Sequence, residues 1–385
     1  MIKKIICLFF IVLLFSSCAN ETRGLLDEQF DTEVYLADYD AKNGFLNGDA
    51  GMDRYGSVYY YSFMYGSPWI YYYDAASGVG GKLCGKPECV HMDQDCNAYH
   101  IDGDFCIYDG QLYYTEGSLM GKYLYRMDLT GSQREKVQSG IHSDIFIHRG
   151  YIFSSETQEV TKKGEASQIY TLYQDVLGQE GQSKVILEVQ ASVVSKVFYQ
   201  VQGNKVYIMP ISRSSEERTA DIYEYNITTQ KIKKLYSWKS NETPSGFVLE
   251  EDGLRILTGE KNRETEIRTV RLYKFYFEDG TMSEAQLVAE ADGSLSSRLG
   301  QNHALVFVSA GYQVKESTFI AESFAGDEVY NGTLTSTVGQ ELWNVIHMGG
   351  DETGEYFTYS ETSSVETSNF QLYRWSSEKG VEILG

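Results

Sequence analysis

The sequence predicts an all-β protein and, within that class, a β-propeller. Three observations carry the prediction. Short runs rich in Tyr and β-branched residues are bounded by Gly, Asp, Asn and Ser. No apolar stripe at helical spacing persists over three or more turns. One glycine-led pair of strands returns at intervals of about 40 to 50 residues, the spacing of propeller blades.

Taken in chain order, Gly56 precedes Val58-Tyr59-Tyr60-Tyr61 and later Trp69-Ile70-Tyr71-Tyr72-Tyr73. Asp109-Gly110 turns into Leu112-Tyr113-Tyr114, followed by Tyr123-Leu124-Tyr125-Arg126-Met127-Asp128. Gly150 leads Tyr151-Ile152-Phe153 and then Ile169-Tyr170-Thr171-Leu172-Tyr173, and Gly203 leads Val206-Tyr207-Ile208 and then Asp221-Ile222-Tyr223-Glu224-Tyr225. Asp252-Gly253 leads Leu254-Arg255-Ile256-Leu257 and then Arg271-Leu272-Tyr273-Lys274-Phe275. Gly354 leads Tyr356-Phe357-Thr358-Tyr359 and then Gln371-Leu372-Tyr373-Arg374-Trp375. A looser unit begins at Ala304-Leu305-Val306-Phe307-Val308, with a second strand that the pattern does not place. The step from Gly253 to Gly354 is long enough for two units, so the expectation is seven blades, with six or eight as alternatives. Stacked β-sandwiches would also supply turn-flanked strands, but they would not restart the same unit at this interval. The segment Val34-Tyr35-Leu36-Ala37 is a candidate first strand that would join the last blade and close the ring.

The Asp-Gly turn, the aromatic pair after it and the later Leu-Tyr-Arg-x-Asp run resemble the extracytoplasmic TolB-like and YWTD-like propellers. The resemblance spans nearly the whole chain after its first 50 residues. It implies a propeller fold and no particular activity, since the fold hosts unrelated functions.

At the N-terminus, Lys3 and Lys4 precede an apolar run from Ile5 to Phe15, then Ser16, Ser17 and Cys18. The order positive, apolar, small is that of a secretory signal, and the run is shorter than the ~20 residues that a membrane-spanning helix needs. Small residues followed directly by cysteine resemble the lipobox of bacterial lipoproteins. That resemblance implies removal of residues 1–17, lipidation of Cys18 and a protein anchored in the cell membrane on its extracytoplasmic side. Phe15 departs from the small aliphatic residue usual three positions before the cysteine; an ordinary secretory signal is the alternative. Residues 18–50 are polar enough for a flexible tether, and residues 51–385 form one propeller domain, since the four prolines are scattered and no linker divides them.

Asp and Glu number 54 against 33 Lys and Arg, a net charge of −21. Nucleic acid is therefore excluded as an expected partner, because phosphate binding depends on Lys and Arg.

A loop at 83–106 stands outside the strand pattern. In Leu83-Cys84-Gly85-Lys86-Pro87-Glu88-Cys89-Val90-His91, followed by Asp95-Cys96-Asn97-Ala98, the potential ligands are Cys84, Cys89, His91 and Cys96. Three thiolates and an imidazole suit a closed, tetrahedral structural zinc with no position left for water. The alternative is disulfides, which an exported protein can keep: Cys84, Cys89, Cys96 and Cys106 make an even number. The loop is similar to a cysteine–histidine loop found in a group of bacterial propeller lipoproteins, a resemblance that implies no biochemical role.

No catalytic residues are assigned. The chain lacks a Gly-x-Ser-x-Gly elbow, a His-Glu-x-x-His pair and a phosphate loop. His100, His142, His148, His303 and His347 are isolated, and Asp93, Asp95, Asp102 and Asp104 lack the order of a calcium loop. The expected function is a membrane-tethered binding or scaffold propeller for a protein, peptide or glycan. The alternative is a secreted polysaccharide hydrolase or lyase, whose carboxylates would meet only in space.

Overall fold

The computed structural model describes most of residues 36–384. Residues 1–35, 37–38, 47 and 49–50, the loop stretches 64–66, 101–104, 119–120, 163–164, 214–217, 240–241, 265–267, 308–315, 336–342 and 361–370, and a few single positions lie outside the described residues. The signal segment, Cys18, Val34, Tyr35, Asp102, Asp104 and Val308 are among them.

The chain is a seven-bladed β-propeller, as the recurrence of its strand pairs predicts. Each blade is an antiparallel meander of consecutive strands. Blade 1 comprises Met52–Tyr55, Val58–Phe63, Ser67–Asp74 and Val79–Lys82, and blade 2 Phe105–Tyr108, Gln111–Ser118, Gly121–Asp128 and Glu135–Ile141. Blade 3 comprises Ser143–His148, Tyr151–Lys162, Glu165–Val176 and Lys184–Ala191, and blade 4 Val193–Gln202, Lys205–Arg213, Arg218–Asn226 and Lys231–Lys239. Blade 5 comprises Thr243–Glu250, Gly253–Lys261, Arg268–Glu278 and Gln286–Ser294, with the two-residue strand Thr281–Met282 beside its third strand. Blade 6 comprises Ser296–Leu299, His303–Phe307, Glu316–Ser323 and Glu328–Thr335, and blade 7 Trp343–Asp351, Gly354–Ser360, Gln371–Ser376 and Gly380–Ile383.

The glycine-led pairs of the sequence are the second and third strands of each blade, and the turns that lead them join the first strand to the second. At Asp109-Gly110 and Arg149-Gly150 both residues have positive φ, 49° and 66° in one turn and 49° and 77° in the other. Two consecutive left-handed residues make the hairpin turn whose twist matches that of its strands, which is why glycine recurs there.

Each blade buries both faces against its neighbours, and the core accordingly divides into seven clusters, one at each blade junction. Phe153, Leu172 and Tyr225 lie between blades 3 and 4, and Trp238, Phe247 and Phe275 between blades 4 and 5. Tyr373 and Trp375 pack against Leu305 at the junction of blades 6 and 7. At the junction of blades 7 and 1, Met52, Tyr59 and Tyr61 meet Met348, Tyr356 and Leu372. The ring is therefore closed by side chains. Among the described residues blade 7 takes its four strands from the C-terminal stretch, and the candidate closing strand at 34–37 lies, apart from Leu36, outside the described residues; the only helix among the described residues is the turn Asn43–Leu46.

That turn belongs to a segment that departs from the expected tether. Asp40, Ala41 and Phe45 are buried. The helical turn packs against the first strands of blade 7 and blade 4, on opposite sides of the ring, so the segment crosses the axial channel.

Candidate metal centre and channel mouth

The loop after blade 1 is held from both sides. Ile70 N–H donates to Ala98 O (2.8 Å) and His100 N–H to Pro68 O (2.7 Å), so residues 98–100 continue the outer edge of blade 1 where its fourth strand stops. Gly85 N–H (3.0 Å) and the Asn97 Nδ2 amide (2.8 Å) both donate to Gly131 O, tying the loop to the Thr130–Ser132 turn of blade 2. Lys82 Nζ donates to His91 O at 2.8 Å while lying 4.0 Å from the centre of the Trp69 ring.

These anchors bring Cys84, Cys89, His91 and Cys96 together, with their ligand atoms all within 4.8 Å of one another. His91 has a φ of 54°, a strained value for a residue with a side chain, and it turns the ring so that Nδ1 lies 3.4 Å from Cys96 Sγ. Its own N–H points to Cys89 Sγ, also at 3.4 Å. Burial pushes the Cys96 thiol up to about 12. Burial also acts to raise Cys84, but hydrogen bonds from the backbone at Lys86 and Asn97 outweigh it and hold that thiol below its usual value.

Cys84, Cys89, Cys96 and Cys106 form no disulfide with one another. Cys106 lies apart, inside the apolar cluster between blades 2 and 3 with Tyr108, Tyr113 and Ile145. The even count of cysteines thus does not carry over into space: three thiols share the loop, and any disulfide between two of them would strand the third beside an imidazole. A tetrahedron with arms of ~2.3 Å has edges of ~3.8 Å, so modest closure of this cluster would seat a zinc. Four protein donors leave no open position for a substrate.

The other singled-out residues do not assemble into a site. His142 stacks on Tyr173 (centroids 3.9 Å) and meets Glu156, His303 lies edge-on to Trp375, and His347 is buried against Glu355 at 3.0 Å. Asp95 N–H donates to Asp93 Oδ1, which makes that acidic pair a turn.

Sequence reading expected a central channel with a ligand at its mouth but missed the residues that line it. Its mouth on the side of the glycine-led turns is a cavity of about 910 Å³, lined among others by Arg54, Tyr55, Glu250, Glu251, Asp351 and Glu352. The opposite end opens into a cavity of about 330 Å³. Lys42 and Phe45 line both, so the N-terminal segment is the wall between them. Most mouth carboxylates are held in ion pairs. Arg54 Nη1 reaches Asp351 at 2.8 Å and Glu352 at 2.5 Å, which binds blade 1 to blade 7. Glu250 pairs with Arg255 at 2.6 Å and with Lys274. Burial works against the Glu250 anion, yet those two cations hold its carboxyl below the usual range, and Glu352 is likewise lowered against burial by backbone hydrogen bonding and Arg54. The Arg54 contacts join residues 297 and 298 positions apart, and no spacing signals them.

Seven self-contained blades around a plugged channel, with a thiol-rich loop outside blades 1 and 2, define a β-propeller with a candidate metal clip. No protein-family model and no curated protein matches the chain. Among solved structures it is similar to an oligogalacturonate lyase in complex with manganese, at 14% identity over 86% of this chain and 88% of that one, with a TM-score of 0.51. It is also similar to TolB from Acinetobacter baumannii (10% identity, 87% and 80% of the two chains, TM-score 0.33). The β-propeller domain of the Trilobed protease from Pyrococcus furiosus, described as having an open velcro topology, is a further neighbour (12% identity, 71% and 78%, TM-score 0.41). At these identities the likeness is one of fold.

Proposed function

We propose that the chain is a lipid-tethered, extracytoplasmic binding or scaffold propeller whose channel mouth receives a ligand and whose thiol loop carries a structural zinc. The observation that carries the binding reading is the state of the mouth carboxylates. A glycosidase needs one carboxyl kept protonated near neutral pH as a general acid. Glu250 instead pairs with Arg255 and Lys274 and Glu352 with Arg54, and both carboxyls lie below the ordinary value. Such groups shape and charge a recognition surface; they do not shuttle protons. The thiolate-rich donor set of the loop suits zinc better than the oxygen-loving manganese or calcium. The tether rests on the signal-like first residues and Cys18.

Two assays test this reading. Fractionation of cells expressing the wild type and Cys18→Ser should move the protein from membrane to soluble extracytoplasmic fractions; equal partition of both would sink the anchor. Incubation of the purified protein with oligogalacturonate and with neutral glycans should release no products. Turnover that Glu250→Gln or Glu352→Gln abolishes would replace the binding reading with a catalytic one.

A further inference from the structure

The segment inside the channel is held as a peptide ligand is held. The Asp40 carboxylate accepts a forked pair of bonds from Arg149, Nε to Oδ1 at 2.7 Å and Nη2 to Oδ2 at 3.1 Å, and both side chains are 1% exposed. Arg149 is itself steadied by Asn204 Oδ1 at 2.9 Å. Its backbone N–H donates to Tyr39 O at 3.1 Å, and Ala41 N–H donates to His148 Nδ1 at 3.2 Å. Three residues past Asp40, the Asn43 amide meets the backbone of Val201 in both directions: Nδ2 donates to Val201 O at 2.9 Å, and Val201 N–H donates to Oδ1 at 2.6 Å. Gln200 Nε2 adds a bond to Asn43 O at 3.2 Å. Two residues further, Phe45 enters the cluster of Met348 and Tyr356, over Gly349. Gly349 has a φ of 120°, and a Cβ there would stand 2.3 Å from Gly44 O, so the wall is cut to admit this backbone.

A bidentate cation for a carboxylate, a strand edge for a primary amide and an aromatic slot are three specificity elements on blades 3, 4 and 7. Each blade junction pairs side chains of two neighbouring blades, and the segment adds Ala41 to one of these clusters and Phe45 to another. We propose that the channel is a peptide-binding site occupied in cis by residues 39–46. Its trans partner is a peptide carrying a carboxylate, a primary amide three residues on and an aromatic ring two residues beyond that. The cis segment is autoinhibitory, since it fills the channel that such a peptide would enter. This deepens the binding reading above by naming the ligand class.

The test uses the full-length chain, purified in detergent, with a specific protease site inserted between Asp49 and Ala50. After cleavage the N-terminal fragment should co-elute with the ring. A synthetic peptide of residues 34–48 should then displace it, and the same peptide carrying Asp40→Asn, Asn43→Ala and Phe45→Ala should need at least tenfold more. In the uncut chain, exchange of the Ala41 and Val201 amides should be faster than that of the other strand amides of the blades and should slow when the wild-type peptide is added. Immediate loss of the fragment on cleavage, a fragment that no peptide concentration displaces, equal potency of the two peptides, or unfolding of the cut ring would each overturn the proposal. None of these outcomes alters the glycan and fractionation results, so its failure is separable from that of the wider reading.

Discussion

His148 shows how burial sets a protonation state. Its ring is fully buried, with Nε2 donating to Gly203 O at 2.7 Å while Nδ1 accepts from Ala41, so both bonds call for the neutral tautomer. Burial pushes its pKa down to about 4, against the opposing pull of Asp40, from 6.5 in the unfolded chain. Between those values the unfolded state binds more protons than the folded one. The stability His148 contributes is therefore complete above pH ~6.5 and is lost as the pH falls toward 4, by at most about 3 kcal/mol. Urea unfolding at pH 7.5 and 4.5 should show a steeper acid loss for the wild type than for His148→Gln. Its neighbour Arg149 obeys a harsher rule. Arg149→Met should destabilise by about 3–5 kcal/mol, since it leaves Asp40 buried and uncompensated, and Asp40→Asn with Arg149→Met together should recover part of the loss in the same denaturation assay. Neither residue was legible in the sequence: His148 looked isolated and Asp40 looked like part of a polar stretch, because their partners lie 109 positions apart in the case of Asp40 and Arg149.

At the scale of elements, the second and third strands of every blade except the sixth were legible, because their Tyr and Leu alternate beside a recurrent turn glycine, left-handed at Gly56, Gly110, Gly150 and Gly203. The second strand of that pair in blade 6, Glu316–Ser323, was not placed, for it reads as a mixture of polar and apolar residues. The ligand set of the thiol loop was legible as a pattern, while the distance of Cys106 from it was not, since that depends on how blades 2 and 3 pack. From that separation follows a sharp expectation. The purified protein should hold about one zinc per chain; Cys96→Ala should lose it, and Cys106→Ala should keep it, as measured by elemental analysis with thiol counting. Chelation should leave the blades intact by circular dichroism but open residues 83–100 to proteolysis, because the hydrogen bonds to Gly131 and Pro68 would then hold the loop alone.

For the whole molecule, the predicted class and blade number hold because a blade cannot hide two apolar sheet faces by itself, so the repeat in sequence is a repeat in packing. What the chain did not announce was its manner of closure. The junction of blades 7 and 1 carries a side-chain cluster like the other six, with Tyr59 and Tyr356 rings 4.9 Å apart. A double-mutant cycle on these two tyrosines should return a coupling of about 0.5–1.5 kcal/mol, and Trp375→Ala, at the adjoining junction, should lower stability by about 3–5 kcal/mol. The plug gives this architecture a mechanical character. Among the described residues, a pull from the N-terminal side reaches Asp40 and Asn43 before the first strand of blade 1, and their bonds to Arg149 and Val201 carry the load. Force arriving along that route is spread over the inner wall of two blades, sparing the edge of blade 1 from being peeled one hydrogen bond at a time.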